Sequence, residues 1–171
     1  MGPGAAPGVT IGPLINAAGV EKATAHVQDA LGKGGVRLAQ VRCELDPARF
    51  VAPVILGEAN PTMRLAQEET FGPVAPLFRF RDEAQAIELA NGTPYGLASY
   101  FYTENIHRAW RVAERLETGM VGLNTGLISM EVAPFGGVKQ SGLGREGGVE
   151  GIEEYLETKT LHIGGLKTAG A

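Results

Sequence analysis

Short apolar runs alternate with helix-patterned stretches along this chain, and that alternation limits its fold more than any other feature. Residues 36–42, 50–56, 74–80, 97–102 and 120–124 are short, apolar and supplied with β-branched or aromatic side chains, and they read as strands. Between them lie three helical patterns. Over residues 16–31, Val20, Ala23, Val27, Ala30 and Leu31 form a stripe, Asn16 is a candidate cap and Gly32 a candidate stop, with His26 off the stripe and in solvent. From Asp82, the Asp82–Gln85 spacing resembles a capping box, Ala86, Ile87 and Ala90 supply the apolar face, and Asn91-Gly92 ends the helix. Over residues 105–117, Ile106, Ala109, Trp110, Ala113 and Leu116 make the expected buried face, with Trp110 in the core and Gly119 as cap. The pattern predicts an α/β domain with a largely parallel sheet flanked by helices. Such sheets bind ligands beyond the carboxyl ends of their strands, so the loop after residues 120–123 is a candidate site.

The remaining segments are punctuation. Residues 1–13 are rich in Gly and Pro and are expected to be extended and poorly ordered on their own. Pro53 inside its run argues for an edge strand or a bulge, Asn60-Pro61 marks a turn, and residues 63–66 read as one more short strand. A helix is expected over residues 149–157. The alternating residues 158–163 then read as a terminal strand, whose exposed edge invites pairing with another chain.

Composition removes several classes of function. A chain of 171 residues suffices for one domain with a sizeable core. A net charge of −4 without a basic run gives nucleic acid no footing. No apolar stretch has the length of a membrane span, and the first residues lack the basic and apolar regions of a signal peptide. One cysteine, Cys43, excludes an intramolecular disulfide or a cysteine zinc cluster, and His26, His107 and His162 form no ligand pattern. The expectation is a cytoplasmic protein without a metal or a membrane partner.

Residues 67–73, Gln-Glu-Glu-Thr-Phe-Gly-Pro, place two carboxylates, one ring and a Gly-Pro turn on a connection between two expected strands. A rigid scaffold presenting polar loop residues is the usual geometry of a binding site. Read locally, the same residues fit a solvated pair, Glu68 and Glu69, beside a core Phe71. Gly142, Gly144 and Gly147 match G-x-G-x-x-G, but the dinucleotide fingerprint needs a strand directly before it, and residues 136–141 are not expected to form one.

Two motifs coincide with a known family. Glu68-Glu69-Thr70-Phe71-Gly72-Pro73-Val74 resembles the E-E-x-F-G-P motif of aldehyde dehydrogenases, and the run from Pro134-Phe135-Gly136-Gly137 to Gly144-Arg145-Glu146 resembles that family's C-terminal signature. Gly12-Pro13-Leu14-Ile15, Thr93-Pro94-Tyr95-Gly96-Leu97-Ala98 and Ile152-Glu153-Glu154-Tyr155 fit in order and spacing. Gly122-Leu123-Asn124-Thr125-Gly126-Leu127-Ile128-Ser129, followed by Glu131-Val132-Ala133-Pro134-Phe135, is most similar to succinate-semialdehyde dehydrogenases, bacterial ones in particular.

The resemblance implies roles. Glu69 would accept hydrogen bonds from both hydroxyls of the nicotinamide ribose, with Phe71 packed near the nicotinamide. Phe135 would line the substrate pocket, and Ser129 would donate to the far carboxylate of succinic semialdehyde. Glu68 receives no such role. The cofactor would be NADP or NAD, with similarity to bacterial members favouring NADP, and the intact enzyme would be an oligomer. In the family a cysteine thiolate attacks the aldehyde, hydride leaves to the cofactor and water releases the acid. That cysteine, the general base and the cofactor domain precede the Gly-Pro-Leu-Ile motif in the family, so they would fall before Met1, and Cys43 matches no catalytic motif. No catalytic residue is assigned. The chain is expected to be a C-terminal part: a leader over 1–13, a partial catalytic domain over 14–147, and a helix with an oligomerisation strand over 148–171. Such a part would be inactive alone. The alternative is a non-catalytic fragment that pairs with full-length subunits.

Overall fold

The computed structural model describes residues 1–165. They belong to two compact units, Met1–Pro94 and Tyr95–Ala171, and the secondary structure is of the α/β class.

The first unit contains α1 (Ala17–Gly32), β1 (Val36–Gln40), β2 (Val54–Ala59), α2 (Arg64–Gln67), β3 (Val74–Phe78) and α3 (Glu83–Asn91). Its sheet has the order β1-β2-β3, with β1 antiparallel and β3 parallel to the central β2. Along β2, Val54 and Leu56 are buried while Ile55 between them is exposed, the alternation of a strand with one face on a core. Ala30 of α1, Val54, Leu56 and Met63 form that core, with Val27, Leu31, Leu65 and Val74 packed against it.

Both expected caps are present. Asn16 accepts from the Gly19 N–H at 2.9 Å, and Asp82 accepts from the Gln85 N–H at 2.9 Å. The Gln85 side chain reaches back one residue beyond the cap, accepting from the Arg81 N–H at 2.9 Å. Gly32 is the last residue of α1 and not its stop; the left-handed position is Gly34, at φ 90°. Pro53 lies just outside β2, because a central strand has no place for a residue lacking an N–H. Pro76 is tolerated within β3, an edge strand of its sheet. Residues 63–66 do not make a strand: α2 starts at Arg64, whose N–H donates to Asp29 Oδ2 of α1 at 2.8 Å. Residues 1–13 are not simply extended, since the Gly2 N–H donates to the Ile11 carbonyl at 3.1 Å and tight turns lie between them.

The second unit holds β4 (Tyr95–Gly96), β5 (Ala98–Phe101), α4 (Ile106–Arg115), β6 (Met120–Leu123), β7 (Val138–Lys139) and a 3-10 helix, Glu150–Tyr155. β5, α4 and β6 make a parallel crossover unit, paired from Ala98↔Met120 to Phe101↔Leu123. β4 and β7 pair antiparallel. The pairings among the described residues are therefore mixed, where a largely parallel sheet was expected.

Three further expectations fail here. The buried face of α4 is Ala109 and Val112, while Ile106 and Trp110 are 63% and 67% exposed, so Trp110 is not a core residue of this chain. α4 ends at Arg115 and is capped by Leu116, whose N–H donates to the Val112 carbonyl, and Gly119 lies beyond it, against the Gly136 carbonyl. Residues 158–163 pair with nothing among the described residues and form no strand. Alternation prepares a segment for a ladder, but a ladder needs a second edge. The end of the expected 148–171 segment, residues 166–171, lies outside the described residues.

Candidate functional site

The acidic loop between α2 and β3 is built from beneath. His26, on the inner face of α1, is fully buried. Its Nδ1 lies 2.9 Å from Thr70 Oγ1 and its Nε2 lies 3.2 Å from Glu68 Oε2. Arg64 grips the same carboxylate through two donors, Nε to Oε1 at 2.9 Å and Nη2 to Oε2 at 3.0 Å. These contacts, the Arg64 hydrogen bonds first and His26 second, hold the Glu68 carboxyl down at about 2. The carboxylate is ionised and can only accept, so His26 Nε2 carries a proton. On the other side, Gln67 Nε2 donates to the Gly92 carbonyl at 3.0 Å. Gly72 passes so close to α1 that a Cβ there would sit 3.1 Å from Ala23 Cβ.

Three side chains of the loop, Gln67, Glu68 and Thr70, are thus spent on the scaffold. Glu69 is not: it is exposed and has no hydrogen-bond or ion-pair partner among the described residues. Phe71 follows at φ 51°, a left-handed backbone that a bulky residue seldom adopts, with its ring 81% exposed. Phe71 is therefore not a core residue, and Glu68 is not a free solvated carboxylate. His26 is the residue that sequence reasoning missed. It lies three residues from Ala23 and four from Ala30, so it belongs to the buried face of α1 and not to its solvent side. That spacing was available in the sequence.

In the second unit, the end of β6 is fixed by Asn124. Its backbone is left-handed, at φ 55°, and its side chain accepts from the Thr103 N–H at 2.8 Å and donates to the Thr103 carbonyl at 2.9 Å. Ser129 follows in the loop beyond, exposed and without a hydrogen bond among the described residues. Phe135 is half-buried, and its backbone exchanges two hydrogen bonds with Glu146, at 2.7 and 2.8 Å. This pair closes the glycine loop, which Arg145 fills by donating from Nη1 to the carbonyls of Gly137 and Gly144 at 2.9 and 2.7 Å. Phe135, Ser141, Arg145 and Glu154 help line an open cavity of about 330 Å³, and Ser129 lies outside that lining.

Gly142, Gly144 and Gly147 all have positive φ, but no α-helix starts on them. The dinucleotide fingerprint is excluded on that side, although β7 does supply a two-residue strand just before them, which the sequence did not lead us to expect. Cys43 lies on the connection between β1 and β2 and makes no hydrogen bond among the described residues, so no base stands ready to activate it.

In chemical terms the first unit offers a carboxylate that is unpaired among the described residues, on a loop tied down by hydrogen bonds and two residues from an outward ring. Such a carboxylate suits a ligand with two adjacent hydroxyls. The second unit offers the Ser129 hydroxyl in the loop that follows β6, and separately the Phe135 ring in the lining of its cavity.

Comparison with known proteins agrees with the motifs. Residues 1–161 match the aldehyde dehydrogenase family. The chain is 52% identical over 166 residues, 97% of its length, to a probable succinate-semialdehyde dehydrogenase [NADP(+)] of Sinorhizobium fredii, and covers 34% of that protein. It is 55% identical over 163 residues, 95% of its length, to a glutarate-semialdehyde dehydrogenase of Pseudomonas putida, again covering 34%. The crystal structure of an aldehyde dehydrogenase from Brucella melitensis biovar abortus 2308 superposes with a TM-score of 0.84 at 58% identity, over 90% of this chain and 32% of that one. The chain spans about a third of the length of the curated relatives it matches. With the family match running through nearly all of the described residues, and with both the acidic loop and the glycine loop in place, this chain belongs to the aldehyde dehydrogenase family.

Proposed function

We propose that the chain is the C-terminal part of an NADP- or NAD-dependent succinate-semialdehyde dehydrogenase, contributing the cofactor's ribose clamp and part of the substrate pocket. The division of labour between two adjacent glutamates carries this reading. Glu68 is consumed by Arg64 and His26, whereas Glu69 is exposed and unpaired among the described residues. An ionised carboxylate can accept from two ribose hydroxyls at once, and charge-assisted bonds of this kind contribute about 1.5–3 kcal/mol each. The Glu69 carboxylate and the outward Phe71 ring fit a nicotinamide riboside in kind, and they would hold it. A bound nicotinamide dinucleotide would supply the hydride acceptor. The chain's own share is to bind and orient.

Ser129 would donate to the far carboxylate of the substrate, and Phe135 would wall its pocket. Succinic and glutaric semialdehydes, which the relatives' names specify, share that far carboxylate and differ by one methylene. A site that bonds the carboxylate rejects aldehydes lacking it more strongly than it separates these two. The name of the Sinorhizobium relative favours NADP. In this reading residues 14–147 are part of a catalytic domain, 148–171 an assembly segment, and the intact enzyme a cytoplasmic oligomer.

The chain by itself is inactive in this reading, because its one thiol has no activating partner among the described residues. Purified chain mixed with succinic semialdehyde and NADP is expected to form no NADPH above the rate with heat-denatured chain. Turnover by the chain alone would end the proposal. One observation favours a second reading, a fragment that pairs with full-length subunits: in residues 156–165, Leu161 and Ile163 are 76% and 63% exposed on a segment without a ladder. Co-purification with a full-length homologue, lost on deleting residues 158–163, is its test.

A further inference from the structure

The buried imidazole of His26 has no part in the chemistry described above, yet it touches both neighbours of Glu69. In extended backbone, residues i−1 and i+1 point to one side and residue i to the other. Glu68 is extended, at φ −117° and ψ 138°, and both Glu68 and Thr70 turn toward α1, where one ring holds them at 3.2 and 2.9 Å. Glu69, between them, is left facing solvent. A planar ring with two nitrogens in fixed relation sets the spacing of its two partners. No buried side-chain polar atom among the described residues is left without a partner, so the arrangement is complete as it stands.

We propose that His26 is a positioning residue for the ribose clamp: by holding Glu68 and Thr70 together against α1, it fixes the direction in which the Glu69 carboxylate is presented. The ribose part of this inference rests on the function proposed above; the orienting part does not. Arg64 cannot replace His26, since it binds Glu68 alone and is itself 44% exposed on the loop side. Thr70, held by His26, is also the residue directly before the left-handed Phe71.

The test uses the full 171-residue chain, isotope-labelled, and its variants His26→Leu, His26→Gln, His26→Asn and Thr70→Val. Gln places its amide nitrogen where Nε2 was and keeps Glu68, Asn does the same for Nδ1 and Thr70, and Thr70→Val releases the ring from the loop side without altering the core. Backbone order parameters of Glu69 and Phe71 are expected to fall from about 0.85, typical of rigid backbone, to below about 0.6 in His26→Leu and Thr70→Val, with intermediate values in the Gln and Asn variants. The methyl signals of Leu56 and Met63 should stay in place, which a general loss of structure would not allow. Nicotinamide mononucleotide is the ligand probe. Its affinity should drop about tenfold in Thr70→Val, the equivalent of one hydrogen bond's worth of positioning.

Unchanged order at Glu69 and Phe71 in Thr70→Val would overturn the inference, and so would unchanged order in a folded His26→Leu. If order is lost as expected but nicotinamide mononucleotide leaves Glu69 of the unmodified chain undisturbed, the orienting role of His26 stands and the ribose reading falls.

Discussion

Leu56 is the side chain on which the first unit is built, and its removal gives a cost that can be worked out beforehand. It is 0% exposed, at the centre of β2, packed with Ala30, Val54 and Met63, which are 0%, 3% and 1% exposed. Leu56→Ala deletes three carbons. At about 0.8 kcal/mol for each buried methylene, the transfer loss is roughly 2.5 kcal/mol. A cavity that the β2 backbone cannot fill raises this toward about 3–5 kcal/mol, the upper range of buried Leu→Ala changes. For a unit of this size each kcal/mol lowers the melting midpoint by about 4–8 °C, so the expected fall is more than about 12 °C. The control is Ile55→Ala, one residue along and 40% exposed on the opposite face, where the same count scaled to its burial gives a loss of about 1.5 kcal/mol without a cavity contribution. Urea unfolding followed by circular dichroism, with methyl signals of the first unit as a local probe, measures both. Equal losses at the two positions would refute the face assignment of β2, and with it the placing of α1 under the acidic loop.

Two further outcomes follow from particular contacts. The Glu68 carboxyl is held at about 2, below its ordinary 4.5, so its stabilising effect is complete above 4.5 and is lost as the pH falls from there toward 2. Asp29, held down mainly by Lys33, acts in the same direction. Acid unfolding should therefore be steeper for the unmodified chain than for Glu68→Gln within that window, and parallel acid profiles would contradict the Arg64–Glu68–His26 arrangement. In the second unit, a methyl added at Gly119 meets the Gly136 carbonyl, whereas nothing lies within 4 Å of one added at Gly126. Gly119→Ala should cost about 1–3 kcal/mol or more and disturb the amide signals of Phe135 and Glu146, while Gly126→Ala stays within about 0.5 kcal/mol. A neutral Gly119→Ala would show that the glycine loop does not pack there.

Much of this architecture was legible in the residues. Asn16 and Asp82 cap their helices as their chemistry requires, and β3, β5 and β6 fall within apolar runs, while β2 overlaps its run only over Val54–Leu56. Strand ends were less legible, because Pro53 looks apolar but cannot donate to a central ladder, which moves the start of β2 to Val54. His26 was misplaced because a polar residue was discounted from a stripe to which its spacing assigns it. Once buried it needs partners, and Glu68 and Thr70 supply them from residues forty or more positions away, a separation no local pattern reveals. Trp110 and Ile106 are apolar at helical spacing yet exposed, and Leu161 and Ile163 are exposed in residues 158–163, which pair with nothing among the described residues. Periodicity marks faces that are fit to be covered, and covering them takes surface that these units do not provide. In the candidate site, the motif distinguished Glu69 from Glu68 by resemblance alone, and the hydrogen bonds supply the physical reason.

The most direct measurement is a titration of the labelled chain with nicotinamide mononucleotide, followed at the Glu69 and Phe71 amides, with nicotinamide alone as the control that lacks the sugar. If Glu69 accepts from the ribose hydroxyls, the mononucleotide shifts both signals, nicotinamide shifts Glu69 far less, and Glu69→Gln weakens binding by about tenfold or more. Equal binding by Glu69→Gln and the unmodified chain would contradict the central claim.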